Sequence, residues 1–208
     1  MNKTTLTTLP AALALALTLG ACGGGSDDPI SPPGPSITDC FTVNKTVTFA
    51  MTVSNEPLDY PTPKKSVTGP MPNPYDGQTV TGQTIFYLDG FNPAGSQTYT
   101  ETSYWTMTNS GVKIIAYVDY NSTVTSIDLL FPKDMKPGDK VTDSNNTLYT
   151  FIGFKNVTLS GKTFTNTCHI KETDSEGNSD EAWYAPGYGM IQQVDNKSGM
   201  TIQYSGDL

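Results

Sequence analysis

Arginine is absent from this 208-residue chain: all twelve basic residues are lysine, set against twenty acids for a formal net charge of -8. Phosphate groups and base edges are usually gripped through the bidentate guanidinium fork. An acidic chain without that fork is repelled by nucleic acid and by anionic lipid, so no nucleic-acid partner is expected. Histidine is nearly absent too. His169 is alone, the cysteines number three, and no C-x-x-C pair occurs, which leaves a zinc site short of ligands. The sequence holds no G-x-S-x-G elbow and no glycine-rich phosphate loop, the usual carriers of acyl and phosphoryl chemistry. No catalytic constellation, metal or cofactor is expected, and a hydrolase working through carboxylates is the weakest reading. No apolar run reaches the roughly 20 residues that span a bilayer as a helix. Internal repeats of 20 to 50 residues are missing as well.

What is present begins with a short apolar stretch, Pro10 to Leu19, behind Lys3. Its length suits the hydrophobic region of a secretory signal. Leu19-Gly20-Ala21-Cys22 follows directly and resembles the bacterial lipobox. The resemblance implies cleavage after Ala21 and acylation of Cys22 by diacylglycerol and a further chain such as palmitate. Several chains together anchor durably where one binds marginally. Residue 23 is glycine rather than the aspartate that retains many such lipoproteins in the inner membrane, so the resemblance points to the outer membrane of the cell envelope. Gly23 to Asp39 is rich in glycine and proline, which oppose helix and sheet and make a tether. The expected organisation is therefore a signal over 1–21, a lipidated cysteine and tether over 22–39, and one domain over 40–208.

That domain reads as all-β. Phe41 to Val53 alternates apolar and polar residues with period two, which predicts a long strand with one buried face. A proline-rich stretch from Pro57 through Pro74 reads as a long loop. Strands are then expected over 79–88, 97–108, 112–120, 123–131, 147–154, 157–159, 163–172, 181–184, 190–194 and 200–204. Turn signals such as Asn109-Ser110-Gly111, Asp143-Ser144-Asn145-Asn146, Ser160-Gly161, Glu176-Gly177-Asn178 and Lys197-Ser198-Gly199 separate them. Many short strands with hairpin turns predict an antiparallel meander curled into a half-barrel, barrel or sandwich.

With Cys22 lipidated, Cys40 and Cys168 remain. Two cysteines in an exported domain are a candidate disulfide, the alternative being two separate buried thiols. His169 adjoins Cys168, but neighbouring strand residues point to opposite faces, which separates thiol from imidazole. Asp174, Glu176, Asn178 and Asp180 offer oxygens at alternating positions of an acidic loop. The glycine falls too early for an EF-hand, and a solvated hairpin is the simpler expectation. The aromatic residues Tyr87, Tyr99, Tyr104, Trp105, Tyr117, Tyr149, Phe151, Trp183, Tyr184 and Tyr188 suit a core, or the lining of a ligand site.

Two segments carry a further resemblance. Gly161-Lys162-Thr163-Phe164-Thr165-Asn166-Thr167-Cys168-His169-Ile170 and Trp183-Tyr184-Ala185-Pro186-Gly187-Tyr188-Gly189 resemble a G-T-F-x-x-C strand followed by W-Y-A-P-G-x-G. That pattern occurs in uncharacterised bacterial exported lipoproteins similar to lipoprotein-carrier half-barrels. The resemblance covers about the last fifty residues; Lys162 and Tyr188 depart from it, and no helical lid is evident. It implies a curved sheet able to hold an apolar molecule. The expected partners are the membrane, through the lipid anchor, and an apolar small molecule or envelope protein. A structural or surface-display module with no cavity is the alternative.

Overall fold

The computed structural model describes residues 34–55, 62–88 and 98–208; the expected signal, Cys22 and most of the tether lie outside them. Ser36 opens a short helix, α1 (Ile37–Phe41). Its hydroxyl accepts from the Thr38 N–H, and the Asp39 carboxylate accepts from the Ser36 N–H, which satisfies amides at the helix start. Ile37, Cys40 and Phe41 are fully buried. The sequence reading divides these residues between the tether and a first strand. Here the apolar Ile37 and the Ser-x-x-Asp cap draw them into a packed turn instead.

The strands are β1 (Val47–Ser54), β2 (Thr62–Pro72), β3 (Thr79–Leu88), β4 (Thr98–Thr108), β5 (Gly111–Val118), β6 (Val124–Pro132), β7 (Lys140–Thr142), β8 (Leu148–Leu159), β9 (Lys162–Thr173), β10 (Ser179–Ala185), β11 (Gly189–Asp195) and β12 (Thr201–Asp207). They form one antiparallel sheet in the order β6-β5-β4-β3-β2-β1-β12-β11-β10-β9-β8-β7. The chain thus makes two six-strand meanders, joined where the first strand pairs with the last, Met51 opposite Tyr204 and Val53 opposite Ile202. The outer strands β6 and β7 are consecutive in the chain and lie near each other. The result is a nearly closed barrel, so the expected all-β meander is what the chain forms.

Two differences from the sequence reading have physical reasons. The proline-rich stretch is not a loop throughout, because β2 occupies residues 62–72 of it. Only Lys65 to Thr68 of β2 pair with β1. Pro70 and Pro72 lie beyond that ladder, and Pro63 sits at a register shift against β3. A missing N–H costs little at such places. Residues 147–154 and 157–159 are one strand rather than two. Bulges at Phe151/Gly153 and Lys155/Val157 interrupt its pairing with β9 and break the period-two pattern.

The β10–β11 turn is tied to the far wall of the barrel. Gln83 of β3 donates from Nε2 to the Met190 carbonyl at 2.8 Å and accepts the Met190 N–H at 2.7 Å. Its side-chain amide therefore acts as one rung of a β ladder. Thr68 Oγ1 donates to the Tyr188 carbonyl, and the Gly187 N–H donates to the Thr42 carbonyl. Gly189, at φ +78°, leaves room for this clamp; a Cβ there would lie 2.7 Å from Gln83 Oε1. The W-Y-A-P-G-Y-G segment is thus a turn held from inside. Close by, Lys162 at the β8–β9 tip holds Asp207 at 2.6 Å, hydrogen-bonds the Tyr188 hydroxyl, and lies over the Tyr188, Tyr204 and Phe164 rings.

Candidate ligand-binding cavity

Period-two alternation places Gln83, Ile85 and Tyr87 of β3 on one face, with Glu101, Ser103 and Trp105 of β4, Ile127, Leu129 and Phe131 of β6, and Asp180, Ala182 and Tyr184 of β10. All of them line one cavity of about 460 Å³ on the concave side of the sheet. That volume is within the range of small-molecule sites.

α1 forms one end of the cavity. It touches β5, β9 and β10, strands on opposite sides of the barrel, so it lies across the interior. The disulfide Cys40–Cys168 holds it to β9, with Cα atoms 5.9 Å apart. The Phe41 ring stacks on Tyr184 at 4.6 Å and on Phe131 at 5.8 Å, and meets Trp105 edge-on at 5.9 Å. Trp105 Nε1 donates to the Phe41 carbonyl at 2.8 Å. These four rings form an apolar floor, and their one indole N–H is satisfied.

The opposite end is polar. Four hairpin turns there share one device. Asp119, Asp143, Asp174 and Asp195 each accept two backbone N–H groups of the turn that follows through Oδ1. This is the Asx turn, a side chain standing in for a backbone acceptor. Asp143, Asn145 and Thr147 of the β7–β8 turn also line the cavity, next to Tyr149, Glu172 and Asp180. Asp174 spends its second oxygen on the Asn178 amide, so the loop considered for calcium is a hairpin turn. Only Asp180 of its four candidate ligands reaches the cavity.

Glu172 follows Cys168 and Ile170 on the inward face of β9. Its side chain meets solvent through the mouth, yet barrel wall surrounds it. That desolvation, with the nearby charges of Asp180, Asp143 and Asp174, raises its pKa to about 7. Burial likewise raises the phenols of Tyr149 and Tyr184, with Glu172 adding to both. The folded state holds a proton on Glu172 that the unfolded chain has released, so its contribution is greatest below the ordinary carboxylate range and falls as pH rises toward 7. Glu172→Gln is therefore expected to raise the melting temperature at pH 8 and to leave it unchanged near pH 4. Paired thermal melts of the two proteins check this; an unchanged difference between pH 4 and pH 8 contradicts it.

Cys168 and His169 are not brought together. The sulfur is in the disulfide, while the imidazole lies against Trp183 with ring centroids 4.3 Å apart and hydrogen-bonds Glu181 at 2.6 Å. Burial lowers the imidazole pKa despite that carboxylate. Of the aromatic residues noted in the sequence, Tyr87, Trp105, Tyr117, Tyr149 and Tyr184 line the cavity; the remaining five are not in its wall. Sequence reasoning missed Gln83, Glu101 and Glu172, and noted Asp180 only as an oxygen of the acidic loop. A signal existed for Glu172, because the period set by Cys168 and Ile170 puts it on the apolar face. Comparison of the chain with protein-family models, curated proteins and solved structures found no match.

Proposed function

We propose that this chain is a lipid-anchored protein of the bacterial envelope that binds one small, largely apolar molecule inside its barrel, and that it acts as a binding protein rather than a catalyst. The observation that carries the reading is the open interior. A module serving only as structure would fill its core to the density of an organic crystal, whereas here about 460 Å³ lies over a floor of Phe41, Trp105, Phe131 and Tyr184. The resemblance to lipoprotein-carrier half-barrels supports the same role, with the five-residue α1 closing one end in place of a helical lid. The disulfide suits an oxidising compartment outside the cytoplasm.

The test uses N-phenyl-1-naphthylamine, a neutral apolar fluorophore. Its emission should rise on adding the protein and saturate at one equivalent. Ala182→Trp, which projects an indole into the cavity, should abolish the rise while the far-ultraviolet β spectrum persists. Binding that survives the filled cavity would show that the probe sits elsewhere and would reject the site.

The anchor has its own check. Wild-type protein should incorporate labelled palmitate and fractionate with the outer membrane. Cys22→Ala should take up no label and stay unprocessed or soluble. Absence of label in the wild type would refute the lipid anchor and leave the cavity untouched.

A further inference from the structure

We propose that the molecule bound in this cavity is an amphipathic organic cation, an amine or quaternary ammonium whose apolar part lies on the aromatic floor and whose charge sits at the mouth. The proposal rests on the binding reading above. It starts from acids that the fold does not require. Asp143 is accounted for, since its carboxylate closes the β7–β8 turn. Glu101, Glu172 and Asp180 are different, because they stand on strands at inward positions, where no turn uses them. Glu101 accepts from the Tyr87 hydroxyl at 2.7 Å and Asp180 from the Gln193 amide at 3.2 Å. Glu172 receives no hydrogen bond from the described residues.

Among the described residues no lysine or histidine is in the cavity wall. Carboxylates gathered in a concave, low-dielectric site without a counter-charge focus negative potential, and a cation arriving there relieves it. The rest of the wall says which kind of cation. Among the described residues no three His, Cys, Asp or Glu side chains are grouped to hold a metal ion. Aromatic faces are present instead. Tyr149 stands among the acids, with its hydroxyl toward Asp143, while the Tyr184 ring belongs to the floor and its hydroxyl lies in the field of Glu172; such rings attract alkylammonium groups, which shed water readily. The Tyr184 hydroxyl also makes no hydrogen bond to the described residues, so a polar group entering from the mouth finds a donor that is not already committed. Polarity runs along the cavity from apolar floor to acidic mouth, which matches a molecule with a tail and a charged head.

The experiment is calorimetric titration of the full-length chain carrying Cys22→Ala with three probes of equal tail length: octyltrimethylammonium, octan-1-ol and octanoate, each below its micelle concentration. The ammonium should bind about tenfold more tightly than the alcohol, and octanoate should bind most weakly. In Glu172→Gln with Asp180→Asn the ammonium should fall to the affinity of the alcohol, and the alcohol should bind as before. If that double variant loses the alcohol too, Glu172→Gln alone decides, since it removes no hydrogen bond. Equal binding of all three probes, or a preference that survives the variants, overturns the cation inference and leaves the cavity reading standing. A stoichiometric response to calcium chloride with none to the ammonium also overturns it, in favour of a metal ion. No binding of any probe refutes the cavity reading itself.

Discussion

Replacing Cys40 and Cys168 together by alanine is expected to lower the melting temperature by roughly 10–20 °C. The bridge joins residues 128 apart in sequence, and releasing so long a loop in the unfolded chain costs about 5 kcal/mol in the chain-entropy model. Each kcal/mol corresponds to about 2–4 °C in a domain of this size. A second effect should accompany the first. Apart from the chain that runs on into β1, the bridge is the one covalent link among the described residues between α1 and the sheet, and α1 supplies Phe41 to the cavity floor. Naphthylamine binding should therefore weaken at temperatures where the far-ultraviolet β spectrum is still intact. Thermal melts of wild type with and without reductant, beside the double variant, measure both. A shift under 3 °C would mean that the non-covalent contacts of α1, the packing of Ile37 and Phe41 and the Trp105 hydrogen bond, hold the helix without the bridge.

Gln83→Leu is the second large effect. The glutamine is 4% exposed, and its amide serves the Met190 N–H, the Met190 carbonyl and the Ser66 hydroxyl. Leucine preserves the bulk and strands all three groups away from water. Leaving a buried polar group unsatisfied costs about 1–3 kcal/mol, so the urea midpoint should fall by the equivalent of roughly 3 kcal/mol or more. The slope of the transition should be unchanged, since the surface exposed on unfolding is the same. Gln78→Leu, on the exposed β2–β3 turn, is the control and should stay within about 0.5 kcal/mol. Equal stability of the two variants would show that the clamp is dispensable.

The sequence carried most of the sheet because its strands announce themselves locally. β3 is bounded in the structure as its alternation predicts, and the turn at Asp143 to Asn146 closes a hairpin. Local patterns could not reveal what depends on distant partners. β7 has only three residues and pairs with β8 without any periodicity to mark it. β2 tolerates its prolines because the β1 ladder ends early, a fact about register rather than composition. The site divides in the same way. Cys40 and Cys168 were legible from cysteine arithmetic, whereas Gln83 reaches a backbone 107 residues away and resembles any surface glutamine. Glu172 lay within reach, since a carboxylate in step with Cys168 and Ile170 breaks the binary pattern, and such breaks mark functional positions.

The most direct measurement is native mass spectrometry of the protein purified from the bacterial envelope by a gentle route. A folded species carrying one additional small molecule is expected, lost on denaturation and absent from Ala182→Trp. A single folded species of the mature protein's own mass, with and without the filled cavity and unchanged by added apolar probes, would contradict it.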